Sequence, residues 1–279
     1  MGEIKLVALD MDGTTLNSDI SLARQTRKAI QAVMDYGVKI VPCTGRVMDE
    51  VPRDVLDIPG ISHAITSNGA QVTDLKNQKV LYSNTFKREE LQEVVEILDH
   101  YDLMIEAYID GGIWTEARCL ERIWDYNVKE EYWSMFFKTR HAAPSRDTFI
   151  DRILCSPVEK FNIFFRHQKE RARLAEQLRQ KTEMTVICAA ENNLEINNPT
   201  ANKGDGLKHL CGCLNISGDE VMAIGDSNND IEMLKYAGLA VAMGNGGERV
   251  KQVSDYVTST NDDGGVALAL DRFILKRPS

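Results

Sequence analysis

The chain has 279 residues, of which 43% are hydrophobic and 27% charged, enough for one large or two moderate cores of ordinary soluble composition. A formal net charge of -9 argues against a general nucleic-acid binder, which needs many cations to displace counterions. It does not argue against a small anionic ligand, because a metal and a few local cations can invert the field of one cleft.

No apolar run reaches the ~18 residues of a membrane span. The start, Met1-Gly2-Glu3-Ile4-Lys5, lacks the basic, apolar and cleavage regions of a signal peptide. The six cysteines (Cys43, Cys119, Cys155, Cys188, Cys211 and Cys213) have no zinc-ligand spacing, and most read as small buried hydrophobes. A reducing, cytoplasmic location with no membrane partner is the expectation.

Taken in chain order, residues 4–9 are the first short apolar run. Leu22, Ala29, Ile30, Val33 and Met34 then share one helical face, with Ser21 at the N-cap position and Gly37 past the end. Runs 38–41 and 63–66 follow, and with 221–224 and 239–243 they complete the strands expected of a buried parallel sheet. The middle of the chain differs. Leu91, Val94, Val95 and Leu98 mark a helix, and 103–109 and 113–115 form a hairpin around Asp110-Gly111-Gly112. A strand at 160–165, a charged helix at 169–180 and strand candidates at 184–189 and 194–197 follow. Helices return around Leu207, Leu210 and Cys211, around Met233 and Leu234, and from Val266 to Phe273. Strand–helix alternation at both ends predicts an α/β, doubly wound parallel-sheet core over residues 1–82 and 190–279. An α+β unit is expected as an insertion over 83–189.

Four segments carry polar residues where apolar runs end. In Asp10-Met11-Asp12-Gly13-Thr14, two carboxylates stand at the end of a strand, where open α/β sheets meet their ligands. Strand alternation puts them on one side. Neighbouring carboxylates repel unless a cation lies between them or one is protonated. An ionised Asp10 can therefore bind Mg²⁺ and attack phosphorus, while Asp12 holds and returns a proton. Alone, the segment reads equally well as a polar turn.

In Thr44-Gly45-Arg46, the Thr44 hydroxyl and the following N–H groups can hold a phosphoryl oxygen, or Thr44 can simply cap a helix. Ser67-Asn68-Gly69 follows the third strand and is readable as a turn. Lys203 at a helix start opposes the helix dipole, a cost that an anion in front of it would remove. In Gly225-Asp226-Ser227-Asn228-Asn229-Asp230, Asp226 can ligate a hard cation, and Asn229 and Asp230 lie one helical turn on.

Together the segments supply a nucleophile, a metal site, an oxyanion clamp and a cation. The set Asp10-x-Asp12-Gly13-Thr14, Thr44-Gly45-Arg46, Lys203 and Gly225-Asp226-x-x-Asn229-Asp230 resembles the haloacid dehalogenase superfamily. In particular it resembles the Cof-type phosphatases, which carry a large α+β cap between the second and third motifs. The resemblance covers essentially the whole chain and implies a Rossmann-like core with the insertion as a substrate-specificity cap.

It further implies an aspartyl-phosphate on Asp10, with Asp12 acting as acid and then base. Mg²⁺ would be held by the Asp10 side chain, the Asp12 backbone carbonyl and Asp226. The phosphoryl group would be bound by the Met11 N–H, Thr44, Gly45, Lys203 and Asn229, with Arg46, Asn68 and Asp230 in support. Thr15 departs from the pattern, where the family usually has Leu; it follows the catalytic pair, so no change of reaction is expected.

The expected function is Mg²⁺-dependent hydrolysis of a small phosphate monoester, with a phosphorylated metabolite as partner and sugar phosphates leading on resemblance. A phosphotransferase or mutase on the same fold is the first alternative. A receiver-like phospho-aspartate module is the second, disfavoured because Asp12 would speed loss of the phosphoryl group.

Overall fold

The computed structural model describes residues 3–187 and 192–276. Their strands are β1 (Leu6–Leu9), β2 (Lys39–Pro42), β3 (His63–Thr66), β4 (Gln71–Asp74), β5 (Lys79–Ser83), β6 (Leu103–Ile109) and β7 (Gly112–Glu116). They continue with β8 (Arg140–Ala143), β9 (Val158–Phe165), β10 (Thr185–Ile187), β11 (Asn193–Asn197), β12 (Val221–Gly225), β13 (Leu239–Ala242) and β14 (Tyr256–Val257). The chain divides into two compact units. The first is Met1–Arg46, Val51–Ser83 and Asn202–Ser279; the second is Val47–Glu50 and Asn84–Ala201.

The first unit is built on a parallel sheet of order β14-β13-β12-β1-β2. Its central strand, Leu-Val-Ala-Leu, is apolar at every position because both faces are covered. Val7 and Leu9 pack with Ile30, Val33, Val266 and Leu270, from the helices Arg24–Asp35 and Gly265–Leu270. Leu6 and Ala8 point the other way and pack with Leu207, Leu210, Met233 and Leu234, from the helices Lys203–Leu214 and Ile231–Tyr236. Helices on both faces of a parallel sheet make this a doubly wound α/β fold.

Two local expectations are corrected. Residues 63–66 do form a strand, but β3 ladders antiparallel with β4, and β4 with β5, in a separate three-stranded sheet. The turn Ser67–Gly69 reverses the chain within three residues, which forces an antiparallel neighbour. One parallel bridge, Cys43 to Ile65, connects it to the end of β2. Ser21 does not cap the first helix. Its N–H and hydroxyl both bond to Asn17 Oδ1, and the helix begins at Arg24 with no side-chain cap.

The second unit contains a sheet of order β10-β11-β9-β6-β7-β8, antiparallel except for the β7–β8 pair. The β6–β7 hairpin turns at Asp110 and Gly111, both with positive φ (52° and 80°), the geometry that matches strand twist in a tight hairpin. Leu103, Ile105, Ala107, Phe161, Ile163 and Phe165 face the helices Arg88–Leu98, Arg146–Leu154 and Glu170–Lys181. β11 pairs with β9, Leu194 opposite Ile163, so residues 193–197 belong here and the unit extends to Ala201. The expected boundary at 189/190 preceded this strand, because its partner lies about thirty residues earlier in the sequence. The candidate strand 184–189 is β10; its last two residues, Cys188 among them, lie outside the described residues.

Alternation gives the opposite face of this sheet a polar centre. Glu106 is fully buried, accepts from Arg140 Nε at 2.6 Å and from Asn162 Nδ2 at 3.0 Å, and Arg140 reaches Glu50 at 2.7 Å. Burial pushes the Glu106 carboxyl up, and Arg140 opposes that. The Glu50 pair, an Asp49 N–H bond to the Gly111 carbonyl, and Val47 packing with Tyr108 and Ile113 make residues 47–50 part of this unit. Among the described residues, no helix is long and apolar enough to cross a membrane.

Removing one partner of a buried ion pair leaves an uncompensated charge, which typically costs about 3–5 kcal/mol. Arg140→Met is expected to lower unfolding free energy by roughly that amount. Urea denaturation checks it; a loss below about 1 kcal/mol, the range of a surface pair, is the contrary result.

Candidate active site

β1 ends at Leu9, and Asp10 still holds the ladder through its N–H to the Ile224 carbonyl at 3.0 Å. The backbone then turns. Thr14 and Leu16 N–H groups return to the Met11 carbonyl, and the Thr15 N–H and hydroxyl both bond to the Asp10 carbonyl, the hydroxyl at 2.6 Å. Strand alternation therefore stops before Asp12, and the two acids have different surroundings. Asp10 is 4% exposed. The Asp12 side chain is 52% exposed and pairs with Arg46. Between them Met11 is fully buried in the core.

Lys203 opens the helix Lys203–Leu214, capped by Asn202, whose side chain accepts from the Asp205 N–H. Its ammonium is fully buried between Asp10 Oδ1 at 2.5 Å and Asp230 Oδ1 at 2.6 Å. The anions that offset the unfavourable helix dipole are thus the protein's own carboxylates. Burial is the largest influence on Lys203 and would lower its pKa, but the charges of Asp10 and Asp230 outweigh it and raise it. An ammonium has three donors, and two are committed here. Asp230 also accepts from the Asp226 and Ser227 N–H groups at 3.0 and 2.9 Å, which closes the turn after β12.

Asp10, Asp226 and Asp230 bring carboxylate oxygens within 4.8 Å of one another. Burial, then the charge of Asp230, pushes the Asp10 carboxyl up, while Lys203 pulls it down. Burial and Asp230 likewise raise Asp226. Three carboxylates around one ammonium leave a buried negative excess that a divalent cation would neutralise. Asp10 Oδ2 is buried and has no hydrogen-bond donor, which fits a cation ligand. Asp230 fits less well, since both of its oxygens are already engaged. Asp226 takes one bond at Oδ1 from the Thr14 hydroxyl, 3.1 Å, and its Oδ2 lies against Gly13. Gly13 has φ +77°, and a Cβ there would stand 2.6 Å from Asp226 Oδ2.

The other predicted residues gather in the same unit. The Thr44 hydroxyl, nearly inaccessible, accepts from the Arg46 N–H at 3.1 Å. A Cβ at Gly45 would lie 2.8 Å from Asn68 Oδ1, so only glycine leaves that side chain its place. Ser67, Asn68 and Gly69 all have positive φ, of 50°, 56° and 91°. The Asn68 N–H bonds to the Thr44 carbonyl at 3.0 Å, and Asn68 Oδ1 accepts from Asn229 Nδ2 at 3.0 Å. The expected turn at 67–69 is therefore a connector between the Thr44 and Asn229 segments. Arg46 grips Asp12 with two donors, Nε to Oδ2 at 2.8 Å and Nη2 to Oδ1 at 2.6 Å.

Sequence reasoning missed three supports: Thr14, which holds Asp226; Thr15, which fixes the Asp10 carbonyl; and Asn245, whose amide donates to the Gly13 carbonyl at 2.8 Å. The Thr15 departure from the family pattern and the Gly-Asn-Gly-Gly turn at 244–247 were the available signals. Cys43 sits next to the site, where burial pushes its thiol far up and so disfavours the reactive thiolate. Of the described cysteines, Cys43, Cys119 and Cys211 are buried as expected, whereas Cys155 and Cys213 are exposed.

This end of the sheet thus gathers a buried carboxylate with a free oxygen, a fixed ammonium, a buried threonine hydroxyl and an acid cluster that could hold a cation, the kinds of group that phosphoryl transfer uses. The family model of haloacid dehalogenase-like hydrolases matches residues 7–270, and the chain belongs to that family. It is a phosphatase of the Cof type. Among its relatives is the 5-amino-6-(5-phospho-D-ribitylamino)uracil phosphatase YcsE of Bacillus subtilis, 31% identical over 98% of this chain and 97% of that protein. The phosphatase YwpJ of the same organism is 30% identical over 95% and 98%. A haloacid dehalogenase-like hydrolase structure from Bacteroides thetaiotaomicron superposes with a TM-score of 0.82 at 27% identity, covering 97% of this chain and 99% of that one.

Gly13→Ala forces a side chain into a left-handed position and against Asp226. Displacing a reacting group by about 1 Å costs on the order of 100-fold. Turnover of a generic phosphate ester by this variant is expected to fall by about that factor, measured as phosphate release; retention of activity would show that Asp226 need not stay where it is.

Proposed function

We propose that this phosphatase hydrolyses a small phosphorylated metabolite, a sugar or polyol phosphate, through a covalent phosphate on Asp10, with Mg²⁺ as cofactor. The observation that carries the reading is the Asp10 carboxylate. One oxygen is fixed by Lys203, and the other is buried without a donor. The Asp10 side chain, the Asp12 backbone carbonyl and Asp226 would hold Mg²⁺. When bound, the ion supplies charge neutralisation that lets two anions, carboxylate and phosphoryl, approach.

In this reading an Asp10 oxygen attacks phosphorus and the ester P–O bond breaks. The leaving oxygen takes its proton from Asp12, which then, as carboxylate, removes a proton from water attacking the aspartyl-phosphate. The P–O bond to Asp10 breaks, inorganic phosphate leaves, and Asp12 is again protonated. Thr44, the Gly45 and Met11 N–H groups, the third Lys203 donor and Asn229 hold the phosphoryl oxygens. Asp230 keeps Lys203 and the Asp226 turn in place, and Asn68 and Arg46 support Asn229 and Asp12.

The second unit serves in this reading as the cap that selects the ester. What supports this is that every residue just named belongs to the first unit. The choice of a polyol phosphate draws on the relative that acts on a phosphoribitylamino-uracil.

The test is phosphate release across a panel of phosphorylated metabolites. Asp10→Asn is expected to lose activity by on the order of 1,000-fold or more, and wild-type activity in that variant would exclude the covalent mechanism. Chelation is expected to abolish turnover, and Mg²⁺ to restore it. Mg²⁺ should also raise the wild-type Tm, by mass action on the folded state, and raise it less in Asp226→Asn. An equal shift in both proteins would place the cation elsewhere.

A further inference from the structure

The Arg46–Asp12 pair poses a problem for the reaction just described. Both oxygens of Asp12 are taken by one guanidinium, Nε at 2.8 Å and Nη2 at 2.6 Å. An acid that must reach the leaving oxygen needs one of those oxygens free, so the pair opens in every turnover.

Arg46 is well placed to govern that opening. Its N–H donates to the Thr44 hydroxyl and its carbonyl accepts from the Ser67 N–H at 2.8 Å, so the base of the side chain is tied into the phosphoryl-binding loops. Asp12 is the more exposed partner, its side chain 52% accessible against 23% for Arg46. Because the Asp12 side is open to solvent, water can replace the bonds as the pair parts, so opening strands no buried carboxylate. A phosphoryl group arriving beside Thr44 offers the guanidinium another planar pair of oxygens, the geometry it binds best.

We infer that Arg46 is the positioning residue of the proton-transfer step: it holds Asp12 in a two-point grip in the resting enzyme and hands it to the leaving group when a phosphate ester takes the guanidinium. This rests on Asp12 being the acid and base of the reaction. Arg46 then acts through Asp12, which separates it from a residue that only binds phosphate.

The separation is measurable in kcat/KM, which covers steps up to cleavage of the ester bond. p-Nitrophenolate leaves without a proton, whereas a primary alkoxide needs one. Arg46→Met is expected to reduce kcat/KM for a primary alkyl phosphate at least tenfold more than for p-nitrophenyl phosphate. Arg46→Lys, which keeps the charge but loses the two-point fork, should fall between it and wild type. In an Asp12→Asn background, Arg46→Met should cost no more on the alkyl ester than on p-nitrophenyl phosphate, because only the phosphate contact is left to lose.

Equal losses on both esters, or an undiminished loss in the Asp12→Asn background, would assign Arg46 to the phosphoryl group directly and overturn the inference. A gain in activity would also overturn it, by making the pair merely inhibitory. If Asp12→Asn by itself shows no preference for the better leaving group, the acid–base reading of Asp12 has failed instead. Melting curves for each variant separate these results from misfolding, and Arg46→Lys keeps the test open if Arg46→Met does not fold.

Discussion

A fully buried ammonium is stable only if anions surround it, and Lys203 imposes that requirement on the first unit. Its two partners lie 193 and 27 residues away in sequence, at the end of β1 and in the turn after β12. The ion pairs therefore fix three chain segments to one point. Asp230 passes the constraint on, because the oxygen not bound to Lys203 gathers the N–H groups of Asp226 and Ser227. Without the ammonium, Asp10 and Asp230 would repel in a low-dielectric space, and the loop bearing Asp226 would lose its anchor. The same arrangement leaves Asp10 half-satisfied, with Oδ2 buried and without a donor.

Two acids two residues apart have been given opposite environments. Asp10 is enclosed, held by backbone and ammonium; Asp12 is open and held by the Arg46 guanidinium. Under the proposed reaction, enclosure fixes the direction of Asp10, and exposure leaves Asp12 open to solvent. The turn from Met11 to Leu16 creates the difference. It is stitched by hydrogen bonds to the Asp10 and Met11 carbonyls and clamped from outside by Asn245 on Gly13.

The positions of the polar residues were legible in the sequence because each follows a short apolar run, and the end of such a run marks the ligand edge of an α/β sheet. The doubly wound core was legible for the same reason: residues 6–9 are apolar throughout, which only two covered faces explain. The partners were not legible. Nothing in Lys203 or its neighbours names Asp230 over solvent, and nothing in Asn68 names Asn229. β3 looked like a core strand because its composition is that of one, while its ladder was decided by the turn that follows. Thr14, Thr15 and Asn245 act through single hydrogen bonds, and short polar residues are too common for that to leave a pattern. Residues 193–197 fell on the wrong side of the expected boundary because strand pairing, not composition, assigns them.

Residues Val47–Glu50 alter what counts as a module in this protein. They follow directly on the Thr44-Gly45-Arg46 segment, yet their packing and ion pairing are with Tyr108, Ile113, Gly111 and Arg140. The polypeptide thus passes between the two units at four places, where a plain insertion would need two. A chimera made by exchanging 84–201 with a relative would carry an incomplete part: Arg140 would arrive without one of its carboxylates, and the host's own 47–50 would meet a surface it did not evolve with. The unit to exchange is the discontinuous set that includes these four residues.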